Sequence, residues 1–240
     1  MRRIALGITL TLAAGLAVHA SSLQISPVMV DLQAGQNAAG IRLRNPGDQP
    51  LYGQVRVFRW DQTGDDDVLE PTEEVVASPP LIRIPSRGEQ LVRLIRRDAA
   101  DISAEHSYRV LVDEIPSPES ATTNGVTIRL RYSVPVFVEP PGQPGALQLA
   151  WSIQRDAQGW LLRVSNRGSR RGQLSAVQLV TADGKLHPIN RGLLGYALAG
   201  KTRQWRIALE EGIALQAPLK IRANINAQPA EAELSVDPQR

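Results

Sequence analysis

The sequence predicts an all-β protein built as two sandwich domains in tandem. Three features carry that expectation. Apolar and polar residues alternate in short runs through residues 21–140 and again after residue 146, the period of a half-buried strand. Turn formers such as Asn45-Pro46-Gly47-Asp48, Asn166-Arg167-Gly168 and Ala182-Asp183-Gly184 separate those runs. No segment of 21–140 sustains the apolar period of an amphipathic helix.

The elements follow in order. Met1-Arg2-Arg3 is a basic lead, 4–18 is an apolar run without charge, and Val18-His19-Ala20 offers small residues to a peptidase. Residues 1–20 therefore read as a secretory signal peptide cleaved after Ala20. The run is short for a membrane span of ~20 residues, and no later run is apolar enough to span. Leu23, Ile25, Met29 and Leu32 outline a first strand around Pro27. Residues 41–44 alternate strictly. Residues 52–60 place Val55 and Val57 on one face, with Gln54, Arg56 and Phe58 on the other. A polar loop, 61–67, precedes strands at 81–84, 90–96 and 108–115. The longest strand covers 126–138. Short strands with turn signals between them predict an immunoglobulin-like sandwich over 21–139.

Glu139-Pro140-Pro141-Gly142-Gln143-Pro144-Gly145 cannot extend a central strand, because proline fixes φ and lacks a donor. Residues 140–145 read as a semi-rigid linker. The strand pattern restarts over 146–240, at 146–153, 160–164, 174–180, 201–209, 219–225 and 231–236.

Composition narrows the function. Of 240 residues, 42% are hydrophobic and 21% charged, an ordinary globular balance. Twenty-seven basic residues against 24 acidic ones give +3, too balanced to argue for nucleic acid. Cysteine is absent, which excludes a disulfide scaffold, a thiolate zinc site and a thiol nucleophile. No Ser/His/Asp order, nucleophile elbow or P-loop is legible. Asp65-Asp66-Asp67 lacks the spacing of a calcium loop and reads as a solvated hairpin tip. His106 reads as structural, and Tyr108 as a tyrosine-corner residue. Arg167, Arg170 and Arg171 cluster in a loop, either solvated or facing an anionic surface. No enzyme, cofactor or metal site is expected.

The 125–138 segment carries the functional expectation. Val126, Ile128, Leu130, Tyr132 and Val134 form one face; Thr127, Arg129, Arg131 and Ser133 form the other. Such a strand exceeds the usual five or six residues. It is either an ordinary half-buried last strand with its arginines outward, or a strand that projects along a sheet edge.

Asn45-Pro46, then Gln54-Val-Arg-Val-Phe-Arg-Trp60, Pro71-Thr72, Ser78-Pro79-Pro80 and Gln90-Leu-Val-Arg93 follow one another. After them come Tyr108-Arg109, Glu114-Ile115-Pro116 and Arg131-Tyr-Ser-Val-Pro-Val-Phe137. In that order and spacing the chain resembles the periplasmic pilus-assembly chaperones, of the archaic, spore-coat-U-type branch. The resemblance is specific over 22–140 and rests on pattern alone over 146–240.

It implies two immunoglobulin-like domains arranged in an L. Pilus or coat subunits would bind along the last strand of the first domain and in the cleft, for delivery to an outer-membrane usher. The chaperone lends a strand to an incomplete subunit sandwich: backbone groups pair with the subunit's edges and alternate side chains fill its groove. Carried onto this chain, the inserted residues are Val126, Ile128 and Leu130, with Tyr132 and Val134 nearer the cleft. Each fully buried aliphatic side chain contributes ~1.5–3 kcal/mol. The better-studied branch anchors the subunit's C-terminal carboxylate with cleft basics, but the matching positions here fall on Pro27 or Met29 and near Pro135. Arg129 and Arg131, then Arg93 and Arg96 on a strand expected to be a neighbour, are the substitute anchors. The hinge pair of the family is altered too. Glu105 matches its acid, but Glu139 stands where the linker arginine would be, so the hinge must be held otherwise. A periplasmic location is expected, without membrane insertion or nucleic acid. An apolar edge left bare predicts a protective arrangement such as self-association. A two-domain immunoglobulin-like surface or adhesive protein is the rival reading.

Overall fold

The computed structural model describes residues 23–97, 102–116, 128–142, 145–209, 213 and 215–237. Every regular element among them is a strand, and no helix there is long and apolar enough to cross a membrane.

The first half packs two sheets face to face. One is four-stranded, in the order β1 (Gln24–Ser26), β3 (Ala38–Arg44), β8 (Glu89–Arg96), β6 (Val75–Ser78). The other is six-stranded: β2 (Val30–Leu32), β10 (Arg131–Val138), β9 (His106–Ile115), β4 (Leu51–Gln62) and β5 (Asp67–Pro71), with β7 (Leu81–Ile84) also on β4. Alternation sets the core between them. Ile41, Leu43, Val92 and Leu94 point inward from the first sheet; Val55, Val110, Val112, Val134, Val136 and Val138 meet them from the second.

The expected first strand is two. β1 runs antiparallel to β3, whereas β2 runs parallel to β10. Pro27, without an N–H, interrupts the ladder between them, and the chain changes sheets there. β5 starts inside the expected polar loop at Asp67, and β6 was not anticipated, because short edge strands carry too few alternations to register.

The second half holds β11 (Leu149–Asp156), β12 (Gly159–Asn166), β13 (Gly172–Val180), β14 (Leu186–Pro188), β15 (Leu193–Ala197), β16 (Thr202–Ile207), β17 (Lys220–Ile225) and β18 (Gln228–Val236). β18 links its two layers, antiparallel to β17 through Gln228–Glu233 and parallel to β11 through Leu234–Val236. Trp151, Ile153, Leu162, Leu174, Leu179 and Ile221 fill the core. The halves are thus two immunoglobulin-like sandwiches.

The same turn device recurs in both. Asn45 donates to Gln49 O at 2.7 Å and accepts from Gly47 N at 3.0 Å. Asn166 donates to Arg170 O at 2.7 Å and accepts from Gly168 N at 2.9 Å. A buried amide that bonds its own turn this way satisfies backbone groups the ladder leaves behind.

Candidate functional site

β10 has a paired side and an open one. On the paired side all eight residues match β9, from Arg131 opposite Asp113 to Val138 opposite His106. Pairing runs one step further, since Glu114 N donates to Leu130 O at 3.1 Å. On the other side β2 covers only Val136, Phe137 and Val138. From Arg131 to Pro135 no strand of the described residues occupies that side. Pro135 suits such an edge because it has no donor to leave unpaired.

One apolar row follows this edge outward. Val136 and Val134 (4% exposed) are core. Tyr132 is half-buried against that core, and its hydroxyl accepts from Leu23 N at 2.9 Å and donates to Glu114 Oε1 at 3.3 Å. Leu130 is 39% exposed and Ile128 77% exposed. The row starts inside the sandwich and reaches solvent by Ile128, with Leu130 and Ile128 outside the core cluster. Val126 lies outside the described residues. Val134 corrects the expected set: its side chain is spent on the core and is not available to a partner.

The arginines proposed as anchors stand elsewhere. Arg131 is exposed and ion-paired with Asp113, which Arg56 also holds at 2.7 Å. These contacts keep the Asp113 carboxyl below its ordinary value even though partial burial pushes the other way. Arg129 is exposed beside Leu130 and Arg131, on a shallow surface formed with Gln54, Arg56 and Glu114. Arg93 and Arg96 sit on β8, which pairs with β3 and β6 in the opposite sheet and not with β10. Alternation assigns a residue to a face of its own strand, but not to a sheet.

The open edge leads into a cleft of ≈ 560 Å³ between the sandwiches. Ser133, Pro135, Val28 and Met29 line one wall; Leu193, Gly195, Tyr196, Arg203 and Trp205 line the other. Arg109 stands at its floor, opposite Pro135 in the ladder. Its guanidinium lies 3.7 Å from the Trp60 ring centroid and 5.7 Å from that of Tyr196. No described carboxylate pairs with it, and burial pulls its pKa below the ordinary arginine value, with the field of Asp67 opposing. A partly desolvated guanidinium stacked on indole, with no carboxylate in direct contact, has donors left to offer an anion. Arg203 contributes a second cation, donating to Gly64 O at 3.0 Å with Asp67 at 3.6 Å. Sequence reasoning missed both. The signal was present in Tyr108-Arg109, since Arg109 shares a strand face with Leu111, but the closure of the cleft by a second sandwich was not.

Contacts from both sides fix the walls. Trp60, Phe137, Tyr196 and Leu198 form an apolar cluster across the junction, with ring centroids 5.3–5.9 Å apart. Buried Gln62 donates to Tyr196 O at 2.8 Å and accepts from Leu198 N at 3.0 Å. The β4–β5 tip keeps Asp65, Asp66 and Asp67 exposed, as expected, but is also docked on the second sandwich. Gln204 N donates to Gly64 O at 2.8 Å, Gln204 bonds Asp65, and Lys201 pairs with Asp61 at 2.7 Å.

The loop arginines corrected most by the structure are Arg170 and Arg171. Neither offers itself to an anionic surface. Arg171 (side chain 6% exposed) pairs with Glu105 at 2.5 Å and Asp31 at 2.6 Å, and its Cζ lies 3.6 Å from the Phe137 ring centroid. Burial raises the Glu105 carboxyl, with Arg171 pulling against it. Arg170 pairs with Glu139 at 3.0 Å. The hinge is held by arginines of the second sandwich: Asp31, Glu105 and Glu139 of the first half supply the acids, and Arg170 and Arg171 the cations.

Residues 22–144 match the family described as pili and flagellar-assembly chaperones, PapD N-terminal domain. No curated protein matches the chain. Among solved structures, it is similar to a chain of the CsuC–CsuE chaperone–tip adhesion subunit pre-assembly complex, from archaic chaperone-usher Csu pili of Acinetobacter baumannii. That likeness has a TM-score of 0.70 at 24% identity, covering 91% of this chain and 100% of the other. The E. coli chaperone DraB matches with a TM-score of 0.62 at 20% identity, covering 90% and 97%. The Salmonella enterica SafA pilin–SafB chaperone complex also matches, with a TM-score of 0.62 at 19% identity, covering 89% and 97%. These likenesses carry the two-sandwich fold. With the family match spanning the sandwich that bears the open edge and its apolar row, the chain belongs to the pili and flagellar-assembly chaperones.

Proposed function

We propose that this chain is a periplasmic, non-enzymatic chaperone of the archaic branch that completes pilus or coat subunits by lending them the segment ending at Leu130. The observation that carries the reading is the apolar row that leaves the core at Val134 and continues through Tyr132 and Leu130 to Ile128 along an unpaired strand edge. A subunit strand laid on that edge gains ladder hydrogen bonds, and its groove receives Leu130, Ile128 and, further out, Val126. β2 blocks the edge from Val136 onward, so the added strand stops level with Pro135. Arg109 is opposite Pro135. A carboxyl terminus ending there meets the free guanidinium, which requires the added strand to run parallel to β10. Arg109 therefore takes the anchoring role given above to Arg129, Arg131, Arg93 and Arg96.

Relatives in fold were solved with a tip adhesion subunit and with a pilin, which agrees with a subunit client here. Delivery to an outer-membrane usher and capping of the bare edge by self-association belong to the same reading. The exchange of one strand for a better-fitting one is its energy source; nucleotide is not required.

The test is co-purification of subunits from the native periplasm with the mature chain and with Ile128→Asp. Ile128 covers no core residue, so the variant keeps the wild-type circular-dichroism spectrum and melting curve. It loses the small β-rich secreted subunit that wild type retains. Equal recovery of that subunit by both proteins, or a subunit-free wild type, overturns strand donation.

A further inference from the structure

The cleft has an apolar half that the anchor does not use. Val28, 76% exposed, and Leu193, 54% exposed, line it from opposite sandwiches. Trp205 lines the same cleft, its indole close over Gly195. A Cβ on Gly195 would stand 3.0 Å from Trp205 Cζ2, and Gly195 has φ +153. The missing side chain thus leaves the indole its place on the wall. Arg203 borders the same ring at 5.7 Å. Large apolar side chains left bare in a concave site, beside convergent cations, are the composition of a ligand pocket.

The occupant follows from charge and topology. Arg109 and Arg203 face the cleft with Asp67 as the acid lining it, so the complementary group is an anion. The open edge delivers an extended chain that must end at Pro135, because β2 lies beyond. Resting on the proposed strand addition, we infer that the cleft selects clients by their last residue: a free α-carboxylate at Arg109, carried by an apolar or aromatic side chain that packs on Trp205, Leu193 and Val28. The second sandwich would then be a specificity element in addition to a wall. A client ending in an acidic residue would set a second negative charge against Asp67 and leave the apolar wall wet. A client ending in a small polar residue would forgo the packing alone.

Fluorescence anisotropy of the mature chain with labelled peptides tests this. The probes share one stretch of alternating valine and threonine and end in Phe, Ser or Asp with a free carboxylate, or in Phe amide. The Phe acid binds about tenfold or more tighter than the Ser acid, the scale of discrimination one apolar group allows. Asp binds weakest. Val28→Ser with Leu193→Ser, both exposed and outside either core, brings Phe and Ser to within about twofold, while the amide penalty persists. Ile128→Asp leaves the order of the probes unchanged, because Ile128 is not part of the cleft lining. Equal binding of Phe and Ser acids to wild type, or an unchanged preference in the double variant, overturns the inference and leaves strand addition standing. Failure of all peptides to bind overturns both.

Discussion

Arg171→Met isolates the hinge. The substitution removes the cation facing Glu105, whose carboxyl side chain has no solvent exposure. What remains to Glu105 is the Arg171 backbone N–H at 3.1 Å. Breaking a buried ion pair by removing one partner costs about 3–5 kcal/mol, because the survivor stays charged and desolvated. Asp31 adds little, since its side chain is 36% exposed and water replaces the lost bond. Methionine keeps contact with the Phe137 ring through its thioether, so the loss reports charge more than packing.

Burial already holds Glu105 above its ordinary value of 4.5, and loss of Arg171 removes the opposing pull and raises it further. The folded variant then binds a proton that the unfolded chain releases. Its stability falls as pH rises through the folded pKa, and recovers as pH falls back towards the unfolded value. Urea unfolding followed by circular dichroism at about pH 8 and about pH 5.5 is therefore expected to show the larger deficit at the higher pH. Glu105→Gln combined with Arg171→Met recovers most of the loss, because a neutral amide is no longer an uncompensated charge. A single variant within about 1 kcal/mol of wild type, or a double variant no better than the single, would refute the reasoning.

Arg109→Gln leaves the fold intact and weakens a carboxylate-ended strand by roughly tenfold or more, the scale of a charge-assisted hydrogen bond; an amidated peptide shows no further loss, and equal binding of the acid by both proteins removes Arg109 from the anchor. Gln62→Ala leaves Tyr196 O and Leu198 N without their buried partner, at about 1–3 kcal/mol, read as a lower urea midpoint. Tyr108 donates to Glu74 at 2.5 Å, and this bond leads the causes that hold the Glu74 carboxyl below its ordinary value, with Arg59 and His106 assisting. In Tyr108→Phe a carboxyl NMR titration places Glu74 higher; because a depressed carboxylate stabilises the fold above its unfolded pKa and loses that effect as pH falls through the folded one, the variant also shows a shallower loss of stability in acid.

Alternation along one strand needs no partner, so the all-β class, the faces of residues 41–44, 52–60 and 90–96, and the apolar row from Val126 to Val134 are legible from residue order. The length of that row singled out residues 125–138 but left open whether the strand stays half-buried or projects along a sheet edge. Packing sets where the row leaves the core: Val134 is inside and Leu130 is out, because β2 covers the edge from Val136 and Tyr132 plugs the rim. It moved Arg93 and Arg96 to the far sheet, for period-two patterning fixes a face and says nothing about which strands become neighbours. It turned Glu139 from a mismatched hinge residue into the partner of Arg170, and Arg171 from a loop charge into a buried one. Arg109 became a cleft residue only when β15 and β16 closed over it. A buried cation, a hinge pair and a cleft each need two segments far apart in the chain to meet, and side-chain periodicity carries no information about that meeting.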